Sequence, residues 1–130
     1  MSKPTLEQQR AENTWNCTDL AKRQLGDAFD KYVDAAKGLP ALIINSGLMQ
    51  VLAFCHEKGM KDSGRHYELV ATHLRSCLHS RFPKLITSAE FEPVMLALMK
   101  SPQSADYQAI TAEAFAWLRW LRQMAAARQG

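Results

Sequence analysis

What this chain lacks narrows its possibilities first. No stretch approaches the roughly 20 uninterrupted apolar residues of a membrane span. The opening run from Met1 to Arg10 places no apolar core behind its charges, so it does not read as a secretory signal. Cysteine is scarce: Cys17, Cys55 and Cys77 are odd in number and far apart. That excludes a disulfide framework and leaves them as small buried hydrophobes, as expected in a reducing cytoplasm. No segment alternates apolar and polar residues with β-branched enrichment, so strands are not expected. There is no glycine-rich phosphate loop, no Cys-x-x-Cys or His-Glu-x-x-His pair and no Gly-x-Ser-x-Gly elbow. Internal repeats, low-complexity tracts and linkers are missing too.

What is present describes a helical domain. The chain has 130 residues, 47% of them hydrophobic and 22% charged with both signs mixed. That suits one domain, residues 1–130, with one core and no need of a metal or disulfide staple. Apolar residues recur at spacings of three and four throughout, which predicts an all-α fold: a single compact antiparallel bundle of about five helices. The first helix is expected from after Thr5 to about Lys37, with Trp15, Thr18, Ala21, Leu25 and Ala36 on its inner line. Gly38-Leu39-Pro40 stops it and starts a second, from Pro40 to about Lys58, that is apolar nearly all round and so central. Gly47 inside that helix marks a close helix crossing. A third helix is expected from about Arg65 to Arg81, with Tyr67, Val70, Leu74 and Leu78 inward. A short one begins near Thr87, where Thr87-Ser88-Ala89-Glu90 has capping-box spacing. The last runs from about Ser104 to Ala127, with Tyr107, Ile110, Ala114, Trp117 or Leu118, Leu121 and Ala125 inward.

The residues that could carry chemistry are few. His73, Cys77 and His79 share a helix but do not complete a zinc site, and no metal or cofactor is expected. Asp27, Asp30 and Asp34 read as a solvated face rather than a general acid/base site. No catalytic residue is assigned. Trp15 and Trp117 fall on core-facing positions. Trp120 lies off the apolar line between Arg119 and Arg122, and these three are the candidate anchor for a protein partner, since tryptophan and arginine are favoured at interface hot spots.

Charge is more informative than its total of +3. Between Lys58 and Lys84 stand six lysines and arginines against Asp62 and Glu68, whereas the first 36 residues nearly cancel. Lys61, Arg65, Thr72, Arg75 and His79 fall at helical spacing away from Val70 and Leu74, with Lys58 just before them. Such a stripe can track a phosphate backbone without reading sequence. Lys58, Lys61, Arg65 and Arg75 are therefore the leading nucleic-acid contacts, with Lys22 and Arg23 behind them.

Two blocks carry a family resemblance. Tyr32-x-x-x-Ala36-Lys37-x-Leu39-Pro40-x-x-Ile43-x-x-x-Gly47-Leu48-x-Gln50-x-Leu52-Ala53-Phe54 resembles the signature of the small helical subunit of type III-B CRISPR effectors, the Cmr complex. Tyr107-x-x-x-Thr111-x-Glu113-Ala114-x-x-x-Leu118-x-Trp120-Leu121-Arg122 resembles the closing helix of the same family. Ser46 departs from the family's usual Asn before Gly-Leu, and the third helix and the Thr87 to Lys100 segment match only loosely. The resemblance implies a cytoplasmic, non-catalytic subunit of an RNA-guided antiviral complex. Its copies would stack head to tail in a minor filament beside the repeated backbone subunits and the large subunit. There they would help hold target RNA along the guide RNA duplex. The rival expectations are the small subunit of a type III-A effector and a helical adaptor that binds protein alone.

Overall fold

A computed structural model of the chain describes residues 3–129; Met1, Ser2 and Gly130, which the single-domain expectation includes, lie outside the described residues. Its elements are α1 (Leu6–Leu25), a 3-10 turn (Gly26–Ala28), α2 (Phe29–Ser46), α3 (Leu48–Lys58), a 3-10 turn (Asp62–Gly64), α4 (Arg65–Arg81), α5 (Phe91–Met99) and α6 (Ser104–Ala127). The all-helical bundle is the fold class that the apolar spacing implies. No strand occurs among the described residues, and no helix is long and apolar enough to cross a membrane.

Helix starts and stops follow local chemistry. Thr5 and Gln8 form a capping box: the Thr5 hydroxyl accepts from Gln8 N–H at 3.0 Å and Gln8 Oε1 accepts from Thr5 N–H at 2.7 Å. α4 and α6 occupy the expected residues. The first half is divided differently. The chain bends at Gly26, and the expected stop at Gly38-Leu39-Pro40 lies inside α2. Pro40 removes one backbone hydrogen bond. The helix continues through it because Ala36, Leu39 and Ile43, on both sides, are buried. The break falls at Gly47 instead, whose φ of 86° places it where only glycine sits without strain. A Cβ there would meet nothing within 4 Å, so Gly47 serves backbone geometry and not a close helix crossing. Nor is the expected second helix apolar-buried all round: Leu42 and Ile44 are exposed, Ile44 at 74%. Thr87 does not cap α5. Glu90 takes the N-cap position, and the Ser88 hydroxyl accepts the Glu90 N–H at 3.1 Å.

α6 packs against α1, α2 and α4, and one core of buried residues runs through all of them. Trp117, Leu118 and Leu121 of α6 meet Tyr32, Val33 and Leu39 of α2 and Leu74 and Leu78 of α4 in that core. Arg10 pairs with Glu113, Asn13 with Trp117 and Lys22 with the Arg128 carbonyl. Those partners advance together along both helices, so α1 and α6 run parallel. The first pair is bidentate: Arg10 Nε donates to Glu113 Oε2 at 2.8 Å and Nη2 to Oε1 at 2.6 Å. Arg81 of α4 stands 3.7 Å from the same carboxylate, which is only 6% exposed. Trp117 Nε1 donates to Asn13 Oδ1 at 2.6 Å beside them. The buried hydroxyls of Thr14 and Thr18 are satisfied by their own helix, donating to the Arg10 and Trp15 carbonyls at 2.8 Å.

Removing one partner of a buried ion pair strands the other, at a cost of about 3–5 kcal/mol. The partly exposed Arg10 can turn to solvent, whereas Glu113 cannot. Arg10→Ala leaves the buried carboxylate only Arg81 at 3.7 Å and is therefore expected to lower unfolding free energy by about 2–3 kcal/mol, and Glu113→Gln by clearly less. Urea titrations of the two variants check this; equal losses would mean that the buried carboxylate is not the costly partner.

The α2–α4 contact supplies a pH dependence. The Tyr32 hydroxyl lies 2.9 Å from His73 Nδ1 in the interior, and burial lowers the His73 pKa from 6.5 to about 4. Between those values the unfolded chain binds a proton that the folded chain refuses. Stability is thus complete above pH 6.5 and falls as pH drops toward 4, by up to about 3 kcal/mol. Denaturation midpoints at pH 7 and 4.5 should differ less in His73→Phe than in the wild type.

Candidate nucleic-acid interface

The turn between α3 and α4 is built by close approach. A Cβ on Gly64 would come within 2.1 Å of the Lys58 carbonyl oxygen, so only glycine lets the chain fold back against the end of α3. Lys61 N–H donates to the Lys58 carbonyl at 3.3 Å and Gly64 N–H to the Lys61 carbonyl at 2.9 Å. That tight loop presents Lys58, Lys61 and Arg65 together at one end of the bundle, all exposed. None has an ion-pair partner among the described residues. The Lys58 ammonium rests 5.6 Å from the Phe54 ring centre, which orients it without neutralising it.

A fourth cation belongs here that spacing along the chain does not reveal. The pKa of His66, on the first turn of α4, is lowered by burial first and then by the charge of Lys31 of α2, with Asp34 opposing. Lys31 is exposed, and its charge is felt at His66.

The structure removes Arg75 from the candidate contacts. Only 5% exposed, it faces the 82–90 segment and not solvent. Its Nε donates to the Ala89 carbonyl at 3.0 Å, Nη1 to Glu68 Oε1 at 2.9 Å and Nη2 to the Thr72 hydroxyl at 3.2 Å, while the guanidinium lies 5.8 Å from the Phe91 ring. Glu68 also touches His56 Nδ1, and the His56 ring stacks flat on Phe91 with centres 3.9 Å apart. Arg75 thus pins the entry to α5 against α3 and α4, and a helical stripe of cations resolves into a turn and a structural arginine. Lys22 is likewise engaged within the fold, donating to the Arg128 carbonyl at 2.8 Å at the end of α6. Arg23 is exposed.

The aromatic assignments divide. Trp117 is fully buried, as its position on the apolar line implies. Trp15 is not: 46% of it is exposed, and Arg128 stacks on its ring at 3.8 Å while also pairing with Asp19. Thr18 and Ala21 are buried as expected, and the inner line of α1 is completed by Thr14 and Cys17 in place of Trp15. Trp120 and Arg119 line a groove of about 540 Å³ between α1 and α6 with Glu7, Arg10, Ala116 and Gln123; Arg122 is exposed beside it.

The cysteines and histidines are held singly and not gathered into one cluster. Burial pushes the thiols of Cys17, Cys55 and Cys77 up to about 12, so all three are protonated at neutral pH. His73 faces Tyr32, whereas His79 Nδ1 meets the Ile86 carbonyl at 2.7 Å. No group of three or more His, Cys, Asp or Glu among the described residues is arranged to hold a metal ion.

Arg75→Ala should lower stability by about 2–4 kcal/mol by leaving the Ala89 carbonyl unpartnered and taking from Glu68 its arginine, and Arg65→Ala should lower it by less than about 0.5 kcal/mol. Thermal unfolding of both variants decides between a structural and a surface role for Arg75.

The family model of the CRISPR-associated protein Cas_Cmr5 matches residues 6–128, and the chain belongs to that family. It is a CRISPR-associated small subunit, a component of a CRISPR effector complex. No curated protein and no solved structure shows significant similarity to it.

Proposed function

We propose that this chain is a non-catalytic small subunit of a type III-B effector, which holds target RNA along the guide duplex through sequence-independent backbone contacts. In this reading its copies stack head to tail in a minor filament beside the repeated backbone subunits, and cleavage belongs to other subunits. The observation that carries it is the turn from Lys58 to Arg65, where three exposed cations project together without internal partners. Lysine and arginine presented this way meet phosphates as point charges. They bring affinity and salt dependence but no base specificity. Lys31 and Arg23 extend the set; Arg75 and Lys22 leave it for the reasons above. A type III-A small subunit would use the same chemistry in a different assembly, and the residues from Tyr32 to Phe54 favour the type III-B kind.

The triple variant Lys58→Ala, Lys61→Ala, Arg65→Ala should bind RNA more weakly, by a similar factor for every sequence tried. Its log Kd against log salt should be shallower by about two to three, since each phosphate left unneutralised removes roughly 0.7–0.9 from the slope. Fluorescence anisotropy on the purified complex with RNA of several sequences measures both. An unchanged slope would remove the turn from the RNA surface.

A further inference from the structure

The three tryptophans differ in what covers their rings. Trp117 is buried in the core, and Trp15 carries Arg128 on its face. Trp120 stacks on no ring and no cation among the described residues. It is partly exposed on the α6 wall of the α1–α6 groove, where Ala116, one turn earlier, leaves room beside the indole. Arg119 and Arg122 flank it, three positions apart, both exposed and without ion-pair partners among the described residues. No acid follows Glu113 on α6. On the α1 wall Arg10 is already held by Glu113, and Glu7 is the one carboxylate lining the groove.

We infer that this groove is a second RNA site, in which an unpaired base lies on Trp120 while Arg119 and Arg122 hold the phosphates on either side of it. Indole stacks on any base, and free guanidinium groups suit phosphate oxygens. Gln123 and Glu7 meet the edge of the base: the amide both donates and accepts, and the carboxylate accepts from an amino group. In a duplex the faces of a base are covered by its neighbours, so the groove selects single-stranded RNA. The Lys58–Arg65 turn, by contrast, meets phosphates alone. The inference rests on the reading of this chain as an RNA-contacting subunit, and adds to it base stacking at a separate place.

That place is well removed from the turn. Leu25, at the end of α1, lines a cleft with Arg65, whereas Arg10, near its start, lines the groove. About 22 Å of α1 therefore separates the two sites, and their contributions to binding should multiply. A protein segment is the poorer occupant. Beyond Ala116 and Trp120 the lining is Glu7, Arg10, Arg119 and Gln123, side chains that do not seal a hot spot from water.

The test uses the purified effector complex and RNAs unrelated to its guide, so that base pairing with the guide contributes nothing. Single strands carrying 5-iodouridine should crosslink to Trp120, and duplexes of the same length should not. By fluorescence anisotropy Trp120→Ala should weaken single-strand binding at least about fivefold with no change in salt slope, and Trp120→Phe should retain most of it. The double variant Arg119→Ala, Arg122→Ala should instead make the slope shallower by about 1.4. Unchanged binding in these variants, while loss of the turn cations still weakens it, overturns the groove and leaves the RNA reading standing. Unchanged binding in both sets removes both. Native mass spectrometry showing that a groove variant sheds a protein subunit assigns the groove to a protein partner and overturns the inference.

Discussion

A carboxylate buried at the meeting of three helices is the constraint on which the rest of this molecule depends. Glu113 lies between Arg10 and Arg81, residues 103 and 32 positions before it in the chain. An acid so deep is tolerable only if its partners are in place. α1, α4 and α6 must therefore reach their native arrangement together. Trp117 lies one turn further along α6 and needs Asn13 for its indole N–H. The parallel pairing of the first and last helices is thus specified by two polar contacts that no slipped register of α6 on α1 can satisfy. The shared core supplies most of the free energy, and the polar contacts decide which packing is adopted.

Much of this was legible in the residues. Where apolar periodicity is strong and the stops are unambiguous, as in α4 and α6, the elements fall where expected. The Thr5 start of α1 was visible for the same reason, a side chain satisfying an orphan N–H. The first half was harder because two local signals competed with burial. Gly38 and Pro40 weaken a helix by roughly 1 and 3 kcal/mol against alanine. Tertiary burial of Ala36, Leu39 and Ile43 outweighs that penalty, so the helix passes through. Gly47 reads as a close helix crossing because a positive φ leaves no trace in composition. Trp15 was misplaced by a shift of phase: with α1 ending at Gly26, the inner line is set by Thr14, Cys17, Thr18 and Ala21, small residues whose pattern is faint beside a tryptophan.

The candidate site was legible in part, and the difference is instructive. Charge counting along the middle of the chain finds an excess but treats every cation alike. Arg75 and Arg81 are directed at Glu68 and Glu113, so both serve the fold. Helical spacing put Arg75 beside Arg65 on one face, yet the 82–90 segment covers that face near Arg75 through the Ala89 carbonyl. No periodicity argument locates such a covering loop. What separates a binding cation from a structural one is whether an acceptor already lies within reach, and that can be read only in three dimensions.

A site reduced to Lys58, Lys61 and Arg65, with Lys31 and Arg23 at its margins, has a consequence for how it works. Contacts to three or so phosphates give weak binding that fades quickly as salt rises. A single copy would then hold RNA poorly. Copies fixed at regular spacing along one RNA act differently, since each engagement raises the local concentration of the next and affinity multiplies without any new kind of contact. In the proposed reading stacking and RNA contact are therefore interdependent. Stacking determines whether the turn that meets RNA is useful, and a small subunit can manage with few cations only if it is never asked to bind alone.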